Sequence, residues 1–515
     1  MKKKLINIFK SNPFSGVKGL ALSAGPAVAF LLMFFYHPDP AHPEIGYTMA
    51  IAAWMAIWWI TEPVHLAITS LLPVALFPLL GIMDGQSVSA SYFNHVIFLF
   101  IGGFLIALAM QKWNLHKRIA LNILSITGTG KARLLLGFML ATALLSMWMS
   151  NTATAMMIVP ILLSVLLEIE PVPDKKRSFS TGMLLGVAYS ASIGGIMTLV
   201  GTPPNLSFLR IYQVLFPNAP AVTFLQWMLF AVPTGIILLI AAYCLLYVRY
   251  AKGSKTKAVK NFPVNQMKKD LGPMSREEKI VLAGFVIMAL LWITRSDIDI
   301  GATTIKGWAS LFGKPAFIND GTVAIAISLP LFMIPAKGKS GSRILDWETA
   351  SHLPWDIILL FGGGFALANG FRDSGLALWL GVQLQGVSVF PPIVIVLLIC
   401  LLVTFLTELT SNTATTEMIL PVLAGLAIAT HTHPLFYMVP ATISASMAFM
   451  LPAATPPKAI IFGTRRVTIL EMAKTGFWLN LIGAIIITAA FYYLAPTVFN
   501  IDPGVFPDWA VQTPK

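Results

Sequence analysis

The chain has 515 residues, of which 57% are hydrophobic and only 11% charged, and its mean hydropathy is +0.78. Soluble domains carry roughly 25% charged residues, so this composition excludes a soluble globular protein and indicates a polytopic membrane protein. The net charge of +13 does not imply nucleic-acid binding, because the Lys and Arg residues fall in loops between apolar runs, where they serve as markers of the cytoplasmic side.

Residues 1–16 are basic and read as cytoplasmic. Nothing ahead of the first apolar run resembles a small-x-small cleavage site, so no removable signal peptide is expected. Apolar spans long enough for a hydrocarbon core of about 30 Å are expected at about 18–36, 47–61, 64–82 and 93–110. The connections holding His37, Asp39 and Glu44, and then Asp84, lack Lys and Arg, whereas the connection from Lys112 to Arg133 has five. The first two therefore face out and the third faces the cytoplasm. Residues 111–127 read as an amphipathic helix in the interface, with Leu115, Ile119, Ile123 and Ile126 as its apolar stripe and Lys117 and Arg118 turned away from it.

An internal repeat begins next. The stretch 149–162, MSNTATAMMIVPIL, returns at 410–423 as TSNTATTEMILPVL. Phe100-Ile101-Gly102-Gly103-Phe104 is matched at the same offset by Phe361-Gly362-Gly363-Gly364-Phe365, and Thr202-Pro203-Pro204-Asn205 is matched by Thr455-Pro456-Pro457-Lys458. Three pairs in one order mean a duplicated unit. Residues 134–168 are apolar apart from Ser150-Asn151-Thr152, with basic residues beyond both ends, so both ends face the cytoplasm. Two short full spans satisfy this, as does a re-entrant hairpin. The hairpin is the better reading, because a polar turn inside a membrane is tolerated where it lines a cavity. The span at about 181–210 is broken at Gly201-Thr202-Pro203-Pro204, since proline removes a backbone donor and clashes with the preceding turn. Residues 222–248 then lead into the basic loop 249–269, the expected boundary between the halves.

The second half repeats the plan: spans at about 278–294, 321–336 and 355–370, an interfacial stretch 371–386, a second hairpin 391–430, a broken span 437–463 and a last span 474–496. The second hairpin lacks flanking basic clusters and opens outward. With an odd number of crossings in each half, the second must be inverted relative to the first. The expected fold is an all-α polytopic membrane protein of about 11 transmembrane helices plus two re-entrant hairpins in an inverted-topology repeat. Residues 1–46 form the N-terminal segment and first span, 47–250 the first repeat, 251–277 a cytoplasmic linker, 278–500 the second repeat and 501–515 a C-terminal tail on the outside.

Two Ser-Asn-Thr tips and two Thr-Pro-Pro breaks offer neutral donors and acceptors together with helix N-termini, a combination suited to a small anion with two separated carboxylates. The same side-chain oxygens and freed backbone carbonyls can hold alkali cations. A single Ser-Asn-Thr reads as interhelical hydrogen bonding; its duplication in phase with the breaks is what makes it functional. Phe-x-Gly-Gly-Phe reads as close helix packing. Gly128-Thr129-Gly130-Lys131 is no phosphate loop, since Ser125 and Ala132 occupy the positions that need Gly and Ser or Thr. Cys244 and Cys400 lie in apolar runs and support neither a disulfide nor a zinc site. His65, His95, His116 and His352 are isolated, without metal-ligand spacing. No grouping of nucleophile and base points to an enzyme.

The paired Ser-Asn-Thr motifs with their Thr-Pro-Pro breaks, from Trp58-Trp59-Ile60-Thr61-Glu62 to Gly476-Phe477-Trp478, resemble the divalent anion/sodium symporter family of INDY-like dicarboxylate transporters. The resemblance implies a homodimer with scaffold and transport domains in the cytoplasmic membrane, moving succinate, malate, fumarate or related acids by an elevator motion, with sodium as the coupling ion and no other cofactor. It places Ser150, Asn151, Thr152, Ser411, Asn412 and Thr413 on the carboxylates, helped by Thr202, Pro203, Thr455 and Pro456. It assigns one sodium site to Ser146, Ser150, Asn151 and Gly201, and the other to Thr407, Thr410, Asn412 and Ala454. Two residues depart from the family pattern. Lys458 stands where Asn205 is seen in the first half, and Glu417 follows the second motif. Ionisable groups at membrane depth are functional candidates. An ammonium at Lys458 could replace a sodium ion and give sodium-independent exchange; pairing with Glu417, or snorkelling, is the structural alternative. Structural pairing is expected for Glu62, and Glu408 is left without an assigned duty.

Overall fold

The computed structural model describes residues 17–170, 178–252, 263–300, 303–337, 341–502 and 504–511. The basic N-terminal stretch, the cluster at 175–177 and most of the basic loop used above to orient the chain lie outside the described residues. Nearly everything described is helical. The first half runs α1 (Val17–Phe35), α2 (Pro43–Thr61), α3 (Leu66–Thr69), α4 (Leu72–Leu79), α5 (Gly85–Tyr92), α6 (His95–Lys112), α7 (Leu115–Thr127), α8 (Lys131–Ser146), α9 (Asn151–Ile169), α10 (Phe179–Ile196), α11 (Pro203–Leu215) and α12 (Phe224–Leu246). The short α13 (Pro263–Asp270) leads to α14 (Arg276–Ile293), α15 (Asp320–Met333), α16 (Trp347–Ala350), α17 (Trp355–Asp373), α18 (Leu376–Gln383), α19 (Pro392–Leu406), α20 (Asn412–Ala429), α21 (Leu435–Ala445), α22 (Pro456–Gly463) and α23 (Ile469–Phe499). Among the described residues six helical stretches are long and apolar enough to cross a membrane, and shorter apolar helices accompany them.

The order α6 to α12 recurs as α17 to α23. Local chemistry sets the starts of these helices. Asn94 caps α6 through Val96 N, Ser178 caps α10 through Thr181 N, and capping boxes open α12, α14 and α23. Each such cap satisfies a helix-end donor that has no partner within the helix. After each break the helix restarts on proline at its first position, where the missing N–H costs nothing. Every residue of α10 is buried, so this helix forms the middle of the molecule rather than a lipid-facing wall. It can be approached closely because a Cβ at Gly194 would strike the backbone of Ala143 in α8, the small-residue packing typical of membrane helices.

Two expectations are corrected, for the span at 64–82 and for α7. The single span at 64–82 is two short helices, α3 and α4, which meet at Ser70 and Leu71. The connection holding Asp297 and Asp299 contains an antiparallel strand pair, β1 (Ile298–Ile300) with β2 (Thr303–Ile305). Helix α7 does not present the stripe read from its sequence: Leu121 and Leu124 are buried and Ile126 is 84% exposed. The helix packs on α8, and Arg118 forms an ion pair with Glu278 of α14 (Nε to Oε1 2.7 Å) while its Nη1 donates to the carbonyl of Gly272.

The C-terminal end of α6 is tied to the loop before α16 by Lys112 Nζ, which donates to Asp346 Oδ2 at 2.6 Å. That bond, with those from Thr349, holds the Asp346 carboxyl down at about 2. Because the folded-state value lies below the ordinary value near 4, the stabilisation is present above about pH 4 and is lost as pH falls toward about 2. Both partners are partly exposed, at 22% and 39%, so solvent screening limits it to about 1 kcal/mol or less. In detergent, Asp346→Asn is expected to lower Tm by about 1 °C or less at neutral pH, and the difference should shrink as the pH is taken below about 4. A difference that stays constant through that range would show that the ion pair is not its source.

Candidate functional site

The two tips have nearly the same backbone. Ser150 (φ −59, ψ 141) and Ser411 (φ −64, ψ 133) stand directly before α9 and α20, and Thr202 (φ −146, ψ 142) and Thr455 (φ −146, ψ 147) stand directly before α11 and α22. Four helix N-termini therefore begin at equivalent places in the two repeats. Each carries backbone N–H groups without helical partners and the positive end of a helix dipole.

The tips and breaks line one cavity of about 630 Å³. Its wall includes Ser150, Asn151 and Thr152 from the first tip and Thr410, Ser411, Asn412 and Thr413 from the second. Gly201, Thr202 and Pro203 come from the first break, and Ala454, Thr455 and Pro456 from the second. All ten residues expected at the carboxylates are thus brought together, although they come from stretches about 260 residues apart in the repeat. Ser146 and Thr407 are not in the wall. They stand immediately behind it in matching positions: Ser146 Oγ lies 2.6 Å from Asn151 Oδ1 and 2.8 Å from the Ala191 carbonyl, and Thr407 Oγ1 lies 2.8 Å from Asn412 Oδ1 and 2.8 Å from the Ala445 carbonyl.

Each of these hydroxyls has one proton and two acceptors within reach, so at each tip a hydroxyl, an amide oxygen and a carbonyl oxygen converge with only one hydrogen among them. Oxygen-rich points of this kind suit an alkali cation. The first is reinforced at Gly201, where a Cβ would come 2.5 Å from the Gly195 carbonyl oxygen, 2.9 Å from that of Met147 and 3.0 Å from that of Ser146. Glycine is required there by the crowding of carbonyls. Among the described residues no group of three or more His, Cys, Asp or Glu side chains is placed to hold a metal ion.

The two breaks are closed by opposite chemistry. At the first, Asn205 Nδ2 donates to the carbonyls of Thr198 (2.7 Å) and Gly195 (3.2 Å), and Trp227 Nε1 donates to that of Ile196 (3.0 Å). At the second, the Glu408 carboxylate accepts from the backbone N–H groups of Phe449 (2.5 Å), Met450 (2.8 Å) and Leu451 (3.0 Å) and from Asn480 Nδ2 (2.9 Å). Lys458, at the position matching Asn205, is fully buried, and its Nζ has no hydrogen-bond partner. It neither pairs with Glu417 nor reaches an aqueous edge. Glu417 is bonded instead to Ser207 (Oγ to Oε1 2.5 Å).

The cavity wall also holds residues that the sequence did not single out for it: Phe104, His65, Asp356 and Glu408. Glu62, expected to be paired, is exposed in the left-handed cap of α2 (φ 45) and belongs to the same wall. Glu408 could have been found from its place three residues before Ser411, since an acid at that depth must find donors. Asp356 and His65 carry no such signal, because only packing brings α17 and α3 to the cavity. No Lys or Arg is in the wall.

Two polar helix-starting tips and two proline breaks, drawn from a repeated unit around one cavity in an apolar helical chain, define a membrane transporter. The chain matches the model of the sodium:sulfate symporter transmembrane region over residues 18–498, and it belongs to that family. It is 43% identical over 491 residues to the sodium-dependent dicarboxylate transporter SdcS of Staphylococcus saprophyticus, covering 94% of this chain and 92% of that protein. It is 44% identical over 501 residues to SdcS of Staphylococcus aureus, covering 96% and 94%. Among solved structures it is similar in fold to Neisseria gonorrhoeae MtrF, described as illuminating a class of antimetabolite efflux pumps (TM-score 0.55, 13% identity, covering 93% of this chain and 99% of that one). It is also similar to the Alcanivorax borkumensis YdaH transporter (TM-score 0.55, 14% identity, covering 81% and 87%).

The four bonds at Glu408 give a direct test of how the second break is held. Glu408→Gln turns one acceptor into a donor facing N–H groups, at a cost of about 1–3 kcal/mol. It should lower Tm by roughly 1–3 °C, more than Asn480→Ala, which removes one of the four donors. Equal stability of Glu408→Gln and the parent would mean that the carboxylate does not hold the loop.

Proposed function

We propose that the protein is a secondary active transporter of C4 dicarboxylates, such as succinate, malate or fumarate, driven by sodium symport. One observation carries this reading: among the described residues, the cavity formed by the two Ser-Asn-Thr tips offers hydroxyls, amides and helix N-termini but no Lys or Arg, while Glu62, Asp356 and Glu408 place carboxyl groups in its wall. A doubly charged acid entering such a place needs cations beside it, and the two oxygen-rich points behind Asn151 and Asn412 are suited to supply them. The names of the staphylococcal relatives support the same substrate class and the same ion.

In this reading Ser150, Asn151 and Thr152 hold one carboxylate with Thr202 and Pro203, and Ser411, Asn412 and Thr413 hold the other with Thr455 and Pro456. Thr455 Oγ1, buried with no partner in the protein, is free to donate to it. Ser146, Ser150, Asn151 and Gly201 form one sodium site; Thr407, Thr410, Asn412 and Ala454 form the other. The chain works as a homodimer in the cytoplasmic membrane, with the N-terminus inside and the C-terminus outside, moves its site by an elevator motion and does no chemistry on its substrate. Sodium-independent exchange is the competing mechanism. The observation in its favour is the Lys458 ammonium, buried without a partner beside the second break.

Uptake of labelled succinate into proteoliposomes separates the two. Accumulation is expected with an inward sodium gradient and not with internal succinate in the absence of sodium. Asn151→Ala and Asn412→Ala should each lower uptake by about 10-fold or more, since each removes a hydrogen bond to a charged group worth about 1.5–3 kcal/mol. Lys458→Asn should change the sodium dependence of uptake if the ammonium takes the place of a cation. Uptake that follows internal succinate and ignores sodium would overturn symport.

A further inference from the structure

The two halves share their chemistry at the tips but not their surroundings, and the largest difference lies at one pair of positions. Glu417 on α20 corresponds to Met156 on α9, each seven residues into its copy of the repeated motif. Met156 is 56% exposed and lies in a groove of about 680 Å³ between α9, α7 and α13. Glu417 is fully buried. Its Oε1 accepts from Ser207 of α11, its Oε2 has no partner, and a Cβ on Gly364 of α17 would overlap that same oxygen. None of the charged side chains on the elements packed against α20 (Arg210 of α11, Asp356, Arg372 and Asp373 of α17, Glu44 of α2) bonds to it.

The difference extends along both hairpins. Helix α20 packs against α17 and α18, whereas the principal neighbours of its counterpart α9 are α8, α10, α22 and α13, with α6 and α7 not among them. Gly103 of α6, the counterpart of Gly364, faces Val200 of the first break and Trp292. One hairpin is therefore sealed against its glycine-bearing helix, and the other stands off from it behind an open groove. In a carrier built from inverted repeats, the opposite state is reached when the halves exchange environments. Glu417 then takes the exposure that Met156 has now, on the other side of the membrane. A carboxyl group with one hydrogen bond in a sealed apolar seam is costly to bury, and water in the opened seam would favour it. Sealing depends on a hydroxyl at Ser207 and the absence of a side chain at Gly364.

We propose that Glu417 is a positioning residue for transport: it closes the seam between α17 and α20 in the present state, enters an outward-facing groove in the opposite state, and so sets the balance between the two. The inference rests on the transporter reading above, though not on the identity of the substrate or the ion. It accounts for an acid at a place where the first repeat has methionine.

The test uses the full chain with Cys244→Ser and Cys400→Ser, and a membrane-impermeant maleimide applied to intact cells or to inverted vesicles. The thiol of Glu417→Cys should be labelled in intact cells and protected in inverted vesicles, and that of Met156→Cys should show the reverse. Gly364→Ala, which cannot close over the carboxyl, should lower labelling at position 156 by several-fold, and adding Glu417→Ala should restore it. Glu417→Gln keeps the size and the bond to Ser207 but cannot ionise; it should raise labelling at position 156 and reduce the maximal rate of uptake more than the apparent KM. A thiol at position 417 that stays unlabelled from outside while the chain transports would overturn the proposal, as would failure of Glu417→Ala to relieve Gly364→Ala. Labelling and uptake are read separately. Side-specific labelling without dicarboxylate uptake would refute the substrate and leave the latch standing, and uptake without outside labelling would do the opposite.

Discussion

A broken helix inside a bilayer exposes backbone donors and acceptors where no water can satisfy them, and the centre of this protein is organised by that constraint. It has two breaks and two tips, and each opened group must be bonded to protein or left for a ligand. At the first break the surplus consists of carbonyls, and Asn205 and Trp227 bring N–H groups to them. At the second it consists of three successive N–H groups, and Glu408 brings a carboxylate. Along the cavity lie the helix starts at Asn151, Asn412, Pro203 and Pro456 and the unbonded hydroxyl of Thr455, while other buried atoms without partners, Lys458 Nζ and Glu417 Oε2 among them, lie outside its wall. The cavity wall carries part of the hydrogen-bonding capacity that the breaks and tips leave open.

The opposite closure of the two breaks explains why the repeats diverge in charge. An amide at position 205 can donate to carbonyls without adding charge. Once the matching loop is held by a carboxylate, a cation at position 458 no longer conflicts with its surroundings in the way it would beside Asn205. The acid at Glu408 and the base at Lys458 belong to the same half and the same break. Among the described residues the wall holds no Lys or Arg, and what it offers an anion is helix ends, hydroxyls and amides, with oxygen clusters behind Asn151 and Asn412. Near-equal backbone geometry with unequal charge is what a duplicated unit leaves when each copy has to close against different neighbours.

Packing asymmetry forms a second layer over the same repeat. Glycines make it possible. Gly364 admits the side chain of Glu417, and Gly194 admits the backbone of α8 against a wholly buried α10. Without a hydrophobic force between helices in lipid, such close approaches supply much of the association through van der Waals contact. They also make the contacts specific to one arrangement, since a seam that depends on the missing Cβ of one residue closes in only one register.

Much of the architecture was legible in the amino-acid sequence because lipid imposes simple rules. Apolar length marks spans, Lys and Arg mark sides, and proline after a small polar residue marks a break. The recurrence of Ser-Asn-Thr and Thr-Pro-Pro marks the residues that meet at the cavity, since duplication carries information that no single copy does. Tertiary structure alone decided the rest. The face that α7 buries follows from Arg118 meeting Glu278, two residues remote in sequence, and not from the helix's own stripe. Glu62, His65 and Asp356 belong to the wall only because α2, α3 and α17 pack beside the tips. Lys458 and Glu417, each visible as an anomaly, could not be assigned partners from sequence, because a charge at membrane depth is governed by the particular donors within a few ångströms of it. Periodicity and composition report what each segment prefers on average; the pairing of one buried atom with another depends on the three-dimensional arrangement of all of them.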